Sequence, residues 1–413
     1  MRVVYLTHYT ELYGANRSLI DLVLELRARG EVEPLVVAPR EGPLLEFLRD
    51  AGIACAVFPF EPWMSERRYS GRFYHKLKQW WGYEKAAMSR ARNNVLTVPG
   101  LAQWVKAQRA SLVHANSAAV SIGAAVAREA GVPLVQHVRE MPEKHYRLHL
   151  DMGRGAYGDA LQSADRVIAI SQAAAEDLQR YAPSAQVTVA YNGVLRGSRY
   201  AEFALQAEER WLSPSPVRLI MVGLLHPGKR YDEAVDAVQA VRAKGYDVRL
   251  AIAGGGRDKE LVAHIHRVGL QDVVELLGYV EDPFPLFRSA HALVMCSRDE
   301  AMGRVTVEAM ASGLPVIGHA SGATPELVRD GITGLLYTDG WEALTTRMLE
   351  LLADLPRARR MGLAGMEEAA QRFTVEGYAT EVMNVYRAIL PDGTRVKRPS
   401  DDDAPPRTRG RRW

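Results

Sequence analysis

Glu300 and Glu308 stand with seven residues between them in the stretch Ser297-Arg298-Asp299-Glu300-Ala301-Met302-Gly303-Arg304-Val305-Thr306-Val307-Glu308-Ala309-Met310-Ala311-Ser312-Gly313-Leu314-Pro315-Val316-Ile317. The stretch follows an apolar run ending at Met295 and enters a helical pattern that should start near Gly303 and end at Gly313. A glycine at the helix entrance lets a ligand approach the backbone. The free N–H groups of Gly303, Arg304 and Val305 would then form an anion site on the helix dipole, suited to a diphosphate. Glu300 precedes the helix and Glu308 lies in it, so the two carboxylates need not share a face. One can meet a sugar while the other accepts hydrogen bonds from a ribose. A lone pair of glutamates is ordinarily solvated helix charge, so the weight falls on their spacing and context.

Other chemistry finds little support. His145 and His149 are four apart beside Glu143, a spacing that metal ligands use on a helix, but Pro142 lies just before and no helix signal is secure there. His264 and His266 would diverge on a helix. Gly254-Gly255-Gly256 lacks the rest of a dinucleotide fingerprint and reads as a tight strand-to-helix turn. There is no G-x-S-x-G elbow, P-loop or zinc spacing in the sequence. The residues expected to act need no metal ligand set, and none is assigned.

The elements that must position these residues are legible in the apolar pattern. The chain has 413 residues, 47% hydrophobic and 24% charged, with 52 Lys and Arg against 49 Asp and Glu. Such a balance fits an ordinary globular protein of two to three domains and gives no reason to expect a nucleic-acid partner. The two cysteines, Cys55 and Cys296, cannot form a disulfide framework and sit in small apolar runs, as buried strand residues of a reducing compartment would. Short Val/Ile/Leu runs, from Val3 to Leu6 onward, alternate with helical patterns such as Ala15 to Arg29. Continuous apolar strands imply burial on both faces of a parallel sheet, hence an α/β, doubly wound fold of the Rossmann kind. At 196–216 the pattern breaks into polar residues, and Val217 to Val222 restarts it. We therefore expect an N-terminal domain over 1–197, a linker over 198–216, a second Rossmann-like domain over 217–373 and a cleft between the two.

Two segments depart from this scheme. Residues 61–100 have no strand pattern and carry Trp63, Tyr69, Phe73, Tyr74, Trp80, Trp81 and Tyr83 among eight Lys or Arg and three Glu. Two readings stand: an aromatic, basic surface resting on an anionic bilayer, with Arg67, Arg68 and Arg72 as its contacts, or an inserted helical pair packed on the domain. The tail over 391–413, with Asp401-Asp402-Asp403 and an arginine cluster after it, has the composition of a disordered, solvated segment. No run reaches the 18 apolar residues of a membrane helix and the N-terminus reads as a strand, so a cytoplasmic protein, at most peripheral on the inner membrane face, is expected.

The glutamate spacing, with Glu-Ala-Met-Ala-x-Gly-x-Pro-Val after it, resembles the donor-site motif of glycosyltransferase family 4. In the family's order follow Tyr13-Gly14-Ala15-Asn16-Arg17-Ser18, His114, His137-Val138-Arg139-Glu140, Ile170-Ser171, Tyr191-Asn192-Gly193-Val194, Val222-Gly223 with Lys229, and Gly278-Tyr279-Val280. Each piece is weak alone; eight in order cover most of the chain. The resemblance implies a GT-B fold, a nucleoside-diphosphate-sugar (UDP or GDP) held mainly by the second domain, retention of anomeric configuration, no obligatory metal or other cofactor, and a closing helix over 374–390. It places Glu300 on donor-sugar hydroxyls, Glu308 on the ribose, Lys229 and the amides of Gly303, Arg304 and Val305 at the diphosphate, and Val280 at the base. Gly14 would approach the diphosphate on closure, and His137 would lie beside the reacting sugar. Asn16, Arg139 and Glu140 are candidates for the acceptor side.

A departing diphosphate gathers negative charge while the sugar becomes oxocarbenium-like, so fixed cations and amide dipoles at the phosphates are what the chemistry requires. Leu224 stands where the family usually has a second phosphate-binding arginine; Arg230 and Arg304 are the candidates to replace it. The expected acceptor is a glycan or lipid-linked sugar of surface polysaccharide or glycolipid assembly. The alternatives are a small soluble acceptor and a catalytically silent nucleotide-sugar-binding scaffold.

Overall fold

The computed structural model describes residues 1–390 apart from 146, 213–214 and 257–258, and leaves aside the side chains of 206 and 209. The expected tail over 391–413 lies outside the described residues. The first domain is built on a sheet of β1 (Arg2–Leu6), β2 (Glu33–Ala38), β3 (Ala54–Val57), β5 (Leu112–Ala115), β6 (Leu134–Val138), β8 (Arg166–Ala169) and β9 (Val187–Val189). A two-residue ribbon stands apart from it, β4 (Met64–Ser65) with β7 (His149–Leu150). The second domain carries β10 (Val217–Val222), β11 (Val248–Ala253), β12 (Val274–Gly278), β13 (Ala292–Met295), β14 (Val316–His319) and β15 (Gly334–Tyr337). All pairings within the two large sheets are parallel, in the orders β3-β2-β1-β5-β6-β8-β9 and β12-β11-β10-β13-β14-β15. Strand order reverses between β1 and β5 and again between β10 and β13. Those are the points where an open parallel sheet leaves a crevice at its carboxyl edge.

Burial explains the apolar runs. Val4 and Leu6 of β1 pack with Val98, Leu101 and Val105 on one side of the sheet. Val3 and Tyr5 pack with Leu19, Leu22 and Leu26 of helix Gly14–Ala28 on the other, together with Tyr378, Val382 and Tyr386. These last three belong to helix Val375–Ile389, which leaves the second domain and lies on the first, capped by the Thr374 hydroxyl accepting from the Gly377 amide at 3.0 Å. The linker differs from expectation. Residues 200–209 form a helix, because Tyr200, Phe203 and Ala207 recur at helical spacing and all three are buried. Arg210 then donates to the carbonyls of Ser312 (2.8 Å) and Gly313 (3.1 Å), placing a cation at the carboxyl end of helix Arg304–Ala311.

The insert is also not a helical pair. It contributes strand β4 and one 35-residue helix, Phe73–Ala107, whose last third supplies the core residues just named. Arg67 is not a surface contact: its side chain is 4% exposed and its guanidinium bonds Glu84 at 2.7 Å and approaches Asp151 at 3.7 Å. Asp151, whose side chain is 2% exposed, also holds Arg90 and accepts from the Ser65 hydroxyl at 2.6 Å. This cluster is what ties the long helix to the β4–β7 ribbon. Removing one partner of a buried ion pair costs about 3–5 kcal/mol, since the other charge stays desolvated. Asp151→Ala should therefore lower unfolding stability by about 3 kcal/mol in urea titration, against under 1 kcal/mol for the exposed pair member Glu66→Ala.

Candidate active site

From β13 the chain runs through Cys296 to Met302 and enters helix Arg304–Ala311 at Gly303, whose φ of +75° is a left-handed conformation that suits glycine. No side chain caps this helix, so its first amides are open to a ligand. The preceding loop is held from below. The Glu300 carbonyl accepts from the Ala323 amide at 2.8 Å, and the Asp299 amide donates to the Ser321 hydroxyl at 3.0 Å. Gly322, at φ +57°, presses against this loop so closely that a Cβ would lie 2.5 Å from the Glu300 carbonyl oxygen. The loop that presents the first glutamate is thus set by a turn 22 residues downstream.

Glu300 and Glu308 are both buried and take separate partners. The Glu300 carboxylate bonds the Lys229 ammonium, delivered by the short 3₁₀ turn Pro227–Lys229 after β10, and its other oxygen lies 3.5 Å from Nδ1 of His145. Burial alone would raise the Glu300 carboxyl, but the Lys229 charge and His145 outweigh it and draw it down to about 2. A fixed anion–cation pair therefore stands at the carboxyl edge of β10 and β13. Lys229 is placed to exchange its carboxylate partner for a phosphate.

Glu308 accepts from Nε of Arg304 at 2.7 Å. The same guanidinium meets Asp21 at 2.9 Å, donates to the Ser18 hydroxyl at 3.0 Å and to the Gly193 carbonyl at 3.3 Å, all in the first domain. Other contacts cross the cleft in the same way. The Ser171 hydroxyl donates to the Ala301 carbonyl, and Arg17 reaches the Glu281 carbonyl next to Val280. Glu326 accepts from the amides of Gln172 (2.9 Å) and Ala173 (2.6 Å) and from the Tyr191 hydroxyl (2.6 Å), an acid at the amino end of helix Gln172–Gln179.

Comparisons with known proteins fall on this architecture. The Glycosyltransferase Family 4 model matches residues 13–195 and the Glycosyl transferases group 1 model residues 207–368. A D-inositol 3-phosphate glycosyltransferase of Segniliparus rotundus is 30% identical over 315 residues, covering 70% of this chain and 68% of that one. The chain belongs to glycosyltransferase family 4. It is an enzyme of glycosyl transfer. Two solved structures share its GT-B fold: Anabaena HepE in complex with UDP-glucose (TM-score 0.74, 23% identity, 94% of this chain and 100% of that one) and WaaG, a glycosyltransferase involved in lipopolysaccharide biosynthesis (TM-score 0.65, 15% identity, 94% and 99%). The matching models and relatives are glycosyltransferases, which supports the enzyme reading over the silent scaffold.

The sequence-derived site residues of this glycosyltransferase separate into two groups. Gly14, Lys229, Val280, Glu300, Gly303, Arg304 and Val305 belong to the loops and helix starts around the cleft, and Glu308 to the second turn of helix Arg304–Ala311. Gly14 opens helix Gly14–Ala28 with free space where a Cβ would stand. Asn16, Arg139 and Glu140 are spent on protein partners instead. Asn16 accepts from the Thr7 hydroxyl at 2.8 Å and donates to the carbonyls of Tyr9 and Glu11. Glu140 accepts from the Ser117 hydroxyl at 2.7 Å and the Ala118 amide at 3.1 Å, and Arg139 bonds Asn116, Asn192 and Tyr378.

His137 is wholly buried near the end of β6, while the histidine that reaches Glu300 is His145. In the sequence His145 stands out only for its four-residue spacing from His149, which points to a metal and not to Glu300; the segment is not helical, and His149 lies in β7 opposite Ser65. Nor do the two candidates for replacing the arginine at Leu224 stand free. Arg230 pairs with Glu233 at 3.4 Å and Arg304 with Asp21 and Glu308. Gly322 and Glu326 were also missed; only the Ser321-Gly322 turn signal after a strand pointed that way. Displacing reacting groups by about 1 Å costs on the order of 100-fold in rate. Gly322→Ala should thus cut kcat/KM by at least about tenfold, since the added methyl pushes the Glu300 loop. Steady-state kinetics on the folded variant checks this.

Proposed function

We propose that the enzyme transfers a sugar from a nucleoside-diphosphate-sugar, with retention of configuration and without an obligatory metal, to a glycan or lipid-linked acceptor of surface polysaccharide or glycolipid assembly. The observation that carries the donor half is the conjunction of Lys229, Glu300 and the uncapped amino end of helix Arg304–Ala311 at the carboxyl edge of β10 and β13. Lys229 and the amides of Gly303, Arg304 and Val305 take the charge that grows on the leaving diphosphate, the task a metal ion performs in other transferases. Glu300, kept ionised, accepts from donor-sugar hydroxyls as Lys229 turns to the phosphate. Glu308, oriented by Arg304, accepts from the ribose. Both glutamates are held by cations and assigned to hydroxyls, so front-face substitution, in which the leaving phosphate helps take the acceptor proton, is the mechanism we favour. HepE was solved with UDP-glucose, which supports a uridine nucleotide as the first donor to test.

The acceptor half rests on the insert. Along helix Phe73–Ala107 the exposed Tyr74, Trp81, Met88 and Val95 recur every seven residues, and the exposed Lys78, Lys85 and Arg92 form a second row with the same spacing beside them. An apolar row about 30 Å long with a cationic border suits the interface of an anionic bilayer. Among the described residues no helix is long and apolar enough to cross a membrane. A second reading, a small phosphorylated acceptor taken from solution, is favoured by the name of the Segniliparus relative, which acts on an inositol phosphate.

Two measurements test these halves. UDP or a UDP-sugar at a hundred times its dissociation constant should stabilise the protein by about 2.7 kcal/mol in thermal shift, equally with and without EDTA, and Glu308→Ala should abolish that gain. A chelator-dependent shift would refute the metal-free reading. Flotation with phosphatidylglycerol vesicles should recover the protein at low salt and lose it at high salt or in the triple variant Lys78→Glu, Lys85→Glu, Arg92→Glu. Binding unchanged by both would favour the soluble acceptor.

A further inference from the structure

Beneath the cleft a line of buried polar side chains runs along one face of the first sheet, from the closing helix to the end of β6. The hydroxyls of Tyr5 and Tyr386 are 3.2 Å apart, and the Tyr386 hydroxyl lies 2.7 Å from Nδ1 of His114. Nε2 of His114 lies 3.1 Å from Nδ1 of His137, and Nη2 of Arg139 lies 3.4 Å from that same Nδ1. Nε2 of His137 is buried with no hydrogen-bond partner among the described residues. Proton positions along this line follow from what each group can do. A guanidinium only donates, so Nδ1 of His137 must accept. His114 must then donate to it through Nε2, which leaves its own Nδ1 bare to accept from Tyr386.

The charge of Arg139 strengthens the arrangement. Its other partners are Asn116, Asn192 and Tyr378, and among the described residues no carboxylate lies within ion-pair distance of it. Burial first, and then this neighbouring cation, hold both histidines well below the usual imidazole range, so both are neutral. A neutral imidazole with a bare Nδ1 carries its proton on Nε2. That orphan N–H sits one residue before the carboxyl end of β6, the edge where ligands of parallel sheets bind. A buried donor left without an acceptor is unfavourable, and an arriving sugar oxygen would relieve it.

We infer that Tyr386, His114 and Arg139 are positioning residues that lock His137 as an Nε2–H tautomer, so that it serves sugar transfer as a hydrogen-bond donor and not as a proton acceptor. This rests on the reading that His137 meets the donor sugar. It also gives the closing helix a chemical role besides packing: Tyr378 and Tyr386, carried back from the second domain, orient groups of the first.

The test reads the tautomer directly and activity separately. In the full-length protein labelled with ¹⁵N-histidine, and with the His137 signals assigned by comparison with His137→Gln, Nδ1 should resonate as a bare nitrogen and Nε2 as a protonated one. Both should stay flat from about pH 5 to about pH 8, where an ordinary histidine titrates. Arg139→Gln should let the His137 signals move with pH; should that variant fail to fold, Tyr386→Phe should broaden or shift the His114 signals. In kinetics His137→Ala should lose about tenfold in kcat/KM, the worth of one hydrogen bond, and His137→Gln, whose amide still donates, should recover most of it. A protonated Nδ1 or an imidazolium in the wild-type spectra overturns the lock. A spectrum as stated with His137→Ala as active as wild type overturns the service to transfer and, with it, the reading that His137 meets the sugar.

Discussion

The guanidinium of Arg304, whose side chain is 14% exposed, is the joint between helix Arg304–Ala311 and the first domain. It orients Glu308 within its own helix and, through Asp21, Ser18 and the Gly193 carbonyl, fastens that helix to the first domain. Charges largely withdrawn from water are stable when paired, because removing one partner leaves the other partly desolvated. The pairing therefore specifies a single geometry. Glu308 is thus oriented by a guanidinium that is itself held by Asp21 and Ser18 of helix Gly14–Ala28 in the first domain.

The rest of the cleft follows the same logic of polar groups brought together across the domain boundary. Ser171 with Ala301, Glu326 with the amino end of helix Gln172–Gln179, and Arg17 with the Glu281 carbonyl all join the first domain to the second. The closing helix completes the set from behind, placing Tyr378 and Tyr386 beside residues of β1, β5 and β6. Lys229 is the exception that chemistry demands. It reaches the cleft on a short turn and, among the described residues, pairs with no carboxylate but Glu300. With Leu224 in place of an arginine, Arg230 and Arg304 are already committed to carboxylates of the protein, Arg230 to Glu233 and Arg304 to Asp21 and Glu308.

Several features were legible in the sequence because they depend on local physics. Continuous apolar runs between helical patterns announced parallel strands, since a strand covered on both faces has no polar side to show. Gly303 followed by a helical repeat announced an open helix start, and the order of the motifs announced the family. The linker helix Tyr200–Glu209 was missed because it is short and its polar flanks, Arg196-Gly197-Ser198-Arg199 and Ser213-Pro214-Ser215-Pro216, read as one continuous break in the pattern. The single long helix of the insert was missed because its exposed face is as apolar as a packed one.

What only the tertiary structure decided is which polar groups meet, because side chains from segments far apart in the chain choose partners by proximity and desolvation, neither of which is written locally. Arg67 reads as a surface cation in sequence but is buried against Glu84 and Asp151. Asn16, Arg139 and Glu140 read as ligand contacts, yet their capacity is used by neighbouring backbone and amides. His145, marked in the sequence only by its spacing from His149, arrives beside Glu300 because the fold sets the loop after β6 against the loop after β13. The sequence specified strands, helix starts and chemical types, all of which follow from neighbours a few residues away. Charge partners and proton positions required the folded chain, because they are set by distances across a cleft that no local spacing encodes.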